Sequence, residues 1–276
     1  MATGTITGTG MITEAAGDGG LALTRLLQIV SPTLPIGAFA YSQGLEQAVS
    51  LGWVSSEAET RDWVLGLLEH SFGTLDLPVL VRLLQAFEAE LGSAPLAAVD
   101  APLPSPNPLP APRGEGRERG QRDSLSRADT AGTWSAWLLA SRPTRELREE
   151  DRQLGAALAR TLAALDVSGA DAWMAREDVT HAAMFALAAV RFGIPARAAL
   201  AGHAFAWAEA VTSAAVRLVP LGQSAGQRVL ATVGEAIPPV VARALTLADD
   251  DLGAAAPGQA IASAWHETLY SRLFRS

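Results

Sequence analysis

The stretch "LLQIVSPTLPIGAFAYSQGLEQAV", residues 26–49, decides how the chain is read. It opens with apolar residues at helical spacing, breaks at Pro32, Pro35 and Gly37, then sets aromatic and polar residues in quick succession. A residue before proline is pushed out of the helical region, so a first helix read over Leu21–Val30 stops at Ser31. The stretch is then a helix, a corner and a second helix. Leu26, Leu27, Val30 and Leu45 are expected to anchor the corner, and Phe39, Tyr41, Gln43 and Glu46 to face outward. Two readings fit: a plain helix-turn-helix corner, or a surface shaped for another molecule.

Outward from that stretch, apolar residues recur at three- and four-residue spacing, without the sustained alternation of a half-buried strand. Ser56 and Glu59 make a capping box ahead of a stripe of Trp63, Leu67, Leu68 and Phe72, expected to stop at Gly73. A helix over Leu77–Leu91 follows, with Asp76 as N-cap and Pro78 in its first turn. Thr144 caps a long helix through Leu165, with Leu147, Leu154, Leu158 and Leu165 on the buried face. Further helices are read over Glu177–Phe192, Ala196–Leu218, Ser224–Glu235 and Pro239–Leu247, the last two separated by Pro238-Pro239. The expected fold is all-α, a single-domain bundle of roughly eight to ten helices over residues 21–276. Residues 1–20 read as a flexible tail, and their "GTITGTG" lacks the flanking strand and helix of a nucleotide loop. Residues 93–133, rich in Pro, Gly and Arg, read as a long disordered insertion between two helices.

Composition narrows the chemistry. A formal charge of -8, from 29 acidic against 21 basic residues, argues against nucleic acid as partner. The absence of cysteine removes disulfides, thiolate metal sites and cysteine nucleophiles. Lysine is absent too, which removes the Walker loop's phosphate-binding amine and Schiff-base chemistry. Arg25 is the first basic residue, so the chain shows no basic signal region, and the apolar stretch Ala198–Val216 is interrupted by His203 and Glu209. The expected setting is the cytoplasm, with no membrane.

His70, His181, His203 and His266 each stand alone, and "HETLY" places Tyr270 where a second zinc ligand belongs. No G-x-S-x-G elbow occurs. "DDD" at Asp249–Asp251 reads as a solvated helix end, and "PLGQSAGQR" (220–228) as a capped corner whose free N–H groups offer an alternative anion seat. The chain is therefore read as a protein that binds rather than catalyses. Its ending, "WHETLYSRLFRS", mixes the aromatics and arginines that dominate interfaces. It is read either as a docking tail or as Trp265, Leu269 and Leu273 packing the last helix onto its own domain.

The motifs "LLQIVSPTLPIGAFAYSQGLE", "ASRPTRELREEDRQLG", "FGIPARAAL", "AAVRLVPLGQSAGQRVL" and "HETLYSRLFRS", in this order, resemble the UreF family of urease accessory proteins. Ala38 and Ala40 stand where that family commonly has glycine and serine, Pro143 where it has glutamate, and the 93–133 insertion is unlike typical members. The resemblance implies an all-α homodimer that binds UreD (also called UreH) and the GTPase UreG. The complex acts on the urease apoprotein as a GTP-hydrolysis-dependent chaperone for nickel insertion. In it this chain is scaffold and regulator, binding neither nickel nor nucleotide itself. On that reading Phe39, Tyr41, Gln43, Glu46, His266, Tyr270, Arg272, Phe274 and Arg275 are partner-facing. Arg142, Arg145, Gln223 and Gln227, with Arg272 and Arg275, are candidates for an arginine or a water-positioning glutamine offered to the GTPase. The rival readings are a helical small-molecule binder and a hydrolase whose site assembles on folding.

Overall fold

The computed structural model describes residues 18–92 and 129–276. The described chain is helical without strands, and has nine helices when one continuous run is counted once. α1 (Asp18–Ile29) leads into the corner, which contains a 3-10 turn at Ala38–Ala40, and α2 (Leu45–Ser50) follows. α3 (Glu57–Leu67) passes through a π-helical segment (Leu68–Asp76) into α4 (Leu77–Leu91). After the undescribed residues come α5 (Thr130–Ala140), α6 (Arg145–Ala164), α7 (His181–Arg191), α8 (Ala196–Leu218), α9 (Gln223–Ala244) and α10 (Pro257–His266).

α7 is the hub. Its run "AAMFALAA", residues 182–189, is wholly buried, because small alanines let neighbouring helices close around Met184 and Phe185. α4 and α6 pack on it, α8 pairs with α9, and α9 leans on α3. Thr144 and Ser56 cap α6 and α3 as the sequence predicts.

Several boundaries move, for identifiable reasons. α1 starts at Asp18, inside the expected tail, and residues 129–133 of the expected insertion are the cap and first turn of α5. The rest of that insertion, and residues 1–17 with their glycine motif, lie outside the described residues. Gly73 does not end a helix. A Cβ there would sit 2.5 Å from Val240 Cγ1, so the glycine is a notch that lets α9 approach the π-helical segment. Asp76 has helical backbone angles and makes no side-chain cap bond. Pro238 and Pro239 do not separate two helices. They lie on the exposed face of α9, while Val233, Ile237, Val240 and Val241 hold the other face in the core. α7 begins at His181 instead of Glu177 because Thr180 is its cap, accepting from Ala183 N. Leu165 ends α6 exposed, and Leu162 takes the buried place expected of it.

The run 57–90 is long and apolar enough to cross a membrane, but 67% of its most apolar window is buried within the bundle. A core helix accounts for that composition.

Candidate functional site

The opening corner and the chain's end form one structure. α1 anchors the corner through Leu26 and Val30, which close on Gly202 of α8; a Cβ there would come 2.6 Å from Leu26 Cδ1. Leu27, expected as a further anchor, is 59% exposed. Gly44 adopts φ +83° at the start of α2, and a Cβ there would lie 2.9 Å from Ser263 N. That close approach seats α2 against α10.

Beyond α10 the chain turns back across the corner. Glu46 accepts from Leu273 N at 2.7 Å and Phe274 N at 2.9 Å, bonding two consecutive tail amides with one carboxylate. Arg275 N donates to Ala40 O, and Ser42 donates from both N and Oγ to Ser276 O. His266, wholly buried, meets Glu146 through Nδ1 at 2.7 Å and Glu46 through Nε2 at 3.1 Å. Arg272 donates to the other oxygen of Glu146 at 2.6 Å. Arg217 ties both segments, donating to Phe39 O and lying 4.3 Å from the centre of the Phe274 ring.

Glu150, next on the same face of α6, accepts from Gln43 Nε2 at 2.7 Å and Ser276 Oγ at 2.6 Å. The Gln43 amide is fixed by Trp207 Nε1, which donates to its oxygen. Burial pushes the Glu150 carboxyl up to about 7, against the pull of its two donors. Tyr41 donates to Gln153, and burial raises its phenol as well.

These contacts correct several expectations. Tyr41, His266 and Phe274, expected to face a partner, are buried and shape the corner from within. Gln43 and Glu46 are half-buried and occupied by this chain's own groups. Phe39, Tyr270, Arg272 and Arg275 are exposed. Of the three residues expected to pack the last helix onto its domain, Leu273 is exposed, Leu269 is half-buried and Trp265, half exposed, keeps one ring contact with Trp53, while His266, Phe274 and Ser276 are buried and fix the ending.

Arg142 is not a surface arginine. It donates through Nε and Nη2 to Asp151 at 2.9 and 2.7 Å, and through Nη1 and Nη2 to Asp76 at 3.2 and 2.5 Å. Burial opposes its charge, but the two carboxylates outweigh burial and raise its pKa; Asp76 itself is pushed up by burial. Arg145, Gln223 and Gln227 are exposed, far apart in the chain, at the first turns of α6 and α9. Asp249 of the acidic triplet is likewise engaged, by Arg82 at 2.7 Å.

A cavity of about 520 Å³ lies behind the corner, lined by Gln43, Arg142, Glu150, His181, His203 and Trp207 among others. The rings of His181 and His203 are 5.0 Å apart, and burial lowers both, His181 to about 4 and His203 well below the ordinary histidine value. Both are therefore neutral at neutral pH, and the adjacent Arg142 charge adds to that effect. Among the described residues no group of three or more His, Asp or Glu side chains is placed to hold a metal.

The family model described as UreF matches residues 54–234. The chain belongs to the UreF family. It is 40% identical over 257 residues to the urease accessory protein UreF of Alkalilimnicola ehrlichii, covering 93% of this chain and 97% of that one. The UreF proteins of Pseudomonas putida W619 and Teredinibacter turnerae are each 41% identical, over 93% and 92% of this chain and 98% of theirs. UreF membership makes this an all-α urease accessory protein with a role in urease maturation.

Sequence reasoning missed Glu146, Glu150, Arg217, Ser42 and Ser276. A signal was present for two of them. Glu146, Glu150 and Gln153 recur at i, i+4 and i+7 on α6, a polar stripe beside the leucine stripe.

Proposed function

We propose that this chain is the non-enzymatic binding subunit of a cytoplasmic, GTP-dependent urease maturation complex. It acts as a homodimer that engages UreD/UreH and the GTPase UreG and presents them to the urease apoprotein for nickel insertion. Nickel and GTP are the complex's substrates, and this chain supplies the scaffold and regulates the GTPase.

One observation carries the reading. Two segments from opposite ends of the sequence are locked together by Glu46, with Phe39, Tyr270, Arg272, Leu273 and Arg275 left on the outside. Such a terminus would ordinarily fray. Here it is ordered by buried groups while Tyr270 and Leu273 stay exposed beside Arg272 and Arg275, themselves exposed though bonded to Glu146 and Gln153, the composition of an interface hot spot.

Regulation of the GTPase then requires different affinity for its two nucleotide states, since equal affinity shifts nothing. Arg142 is excluded as a donated arginine, because withdrawing it strands two buried carboxylates. The test is capture of UreG, loaded with GTP analogue or with GDP, by this chain together with UreD. Preferential capture of one form is expected; equal capture of both removes the regulatory part.

A further inference from the structure

We propose that Glu150 is a proton-operated latch for the end of the chain: closing the tail onto the corner takes up a proton there. The tail is then held more firmly below neutral pH than above it.

Glu150 is 4% exposed and forms no ion pair among the described residues. Its two donors are neutral and come from the two segments that must meet, Gln43 of the corner and Ser276 of the tail. The cations around it are committed elsewhere. Arg142 is divided between Asp76 and Asp151, and Arg275 donates to Gln153. Its other charged and titratable neighbours include Asp151 on its own helix and Tyr41 from the corner, with His181 of α7 and His203 and Glu209 of α8 lining the same cavity. Asp151 disfavours a second negative charge, and burial keeps His181 and His203 neutral.

The hydrogen-bond geometry admits the protonated form. Trp207 fixes the Gln43 amide, so Gln43 Nε2 must donate and Glu150 Oε1 must accept. The proton therefore belongs on Oε2, where the Ser276 hydroxyl can rotate from donor to acceptor. When the tail lifts, Ser276 leaves, water reaches the carboxyl and its affinity for the proton falls to that of an ordinary glutamate.

The sign follows. The closed-state value, about 7, lies above the ordinary carboxylate range. Closure is thus favoured fully below that range, and the advantage is lost as pH rises through about 7. Between pH 6 and 8 one linked proton changes the closing equilibrium about tenfold.

The experiment is hydrogen exchange on the full chain between pH 6 and 8, corrected for the intrinsic pH dependence of amide exchange. The reporters are the amides of Ser42 and Arg275, which bond to Ser276 O and Ala40 O, with α7 amides as reference. Their protection is expected to fall about tenfold from pH 6 to 8 while α7 is unchanged. In Glu150→Gln, whose amide can accept from Gln43 and donate to Ser276, protection should be flat. Flat protection in the native chain overturns the proposal. So does a slope that survives Glu150→Gln, which would assign the proton to another group. Should that variant fail to fold, Ser276→Ala decides: loss of one donor moves the midpoint to higher pH, and an unmoved midpoint counts against the latch.

Discussion

At the residue scale, Glu46 and Arg142 carry opposite lessons. Sequence pattern makes Glu46 an outward residue, yet its two oxygens accept from the tail's backbone and one meets His266. Glu46→Gln leaves one oxygen to accept what two accepted. The amides of Leu273 and Phe274 should lose protection by at least tenfold in hydrogen exchange, matching about 1.5–3 kcal/mol for a bond to a charged acceptor. Arg142→Ala should destabilise the whole fold by about 3–5 kcal/mol in denaturant unfolding, because Asp76 and Asp151 are then buried without a cation. Arg228→Ala, which removes only an exposed pair with Glu57, should leave the midpoint nearly unmoved. Neither role was legible in sequence. Asp76 lies 66 residues before Arg142 and Phe274 lies 228 after Glu46, and local spacing holds no information about such pairs. The capping roles of Ser56 and Thr144 were legible because cap and capped amide are three residues apart.

At the scale of elements, glycines separate what periodicity predicts from what packing decides. Gly73 and Gly66 lie in one helical run and look alike in sequence, but only Gly73 faces a neighbour closely. Gly155 is as close, and to backbone: a Cβ there would meet the Thr180 main chain at 2.5 Å, where α6 crosses the cap of α7. Gly73→Ala and Gly155→Ala should therefore each lower stability by about 1–3 kcal/mol through overpacking. Gly66→Ala and Gly234→Ala, with open space around both positions, should raise it by about 0.5–1 kcal/mol by restricting the unfolded chain. Thermal unfolding of the four variants checks both signs, and a stabilised Gly155→Ala would show that α6 can move away from Thr180. The same contrast explains the misplaced boundaries. Helix existence followed from apolar spacing that each segment carries itself. Gly73 and Pro238-Pro239 failed as stop signals because tertiary packing and a solvent-facing side outweighed local preference.

At the scale of the whole molecule, the surface made from both chain ends joins two tasks that truncation cannot separate. Removing the last dozen residues deletes exposed Tyr270 and Leu273, but also Phe274 and Ser276, which hold the corner in shape. Loss of a complex after such a cut would not distinguish a missing contact from a collapsed corner. Substitution can. Tyr270→Ala with Leu273→Ala leaves the main-chain bonds to Glu46 and Ala40 intact, since these use backbone atoms. Phe274→Ala removes a buried ring under Arg217, at a cost of about 3–5 kcal/mol for a fully packed site and less at a chain end. If the outer side chains are the contact, the double variant should keep native unfolding and native Ser42 protection but lose coelution with UreD and UreG on size-exclusion chromatography. Phe274→Ala should lose protection at Ser42 first and coelution with it. Coelution that survives the double variant would place the contact elsewhere, and the α1 face of Leu23 and Leu27, apolar and exposed among the described residues, is the next surface to substitute.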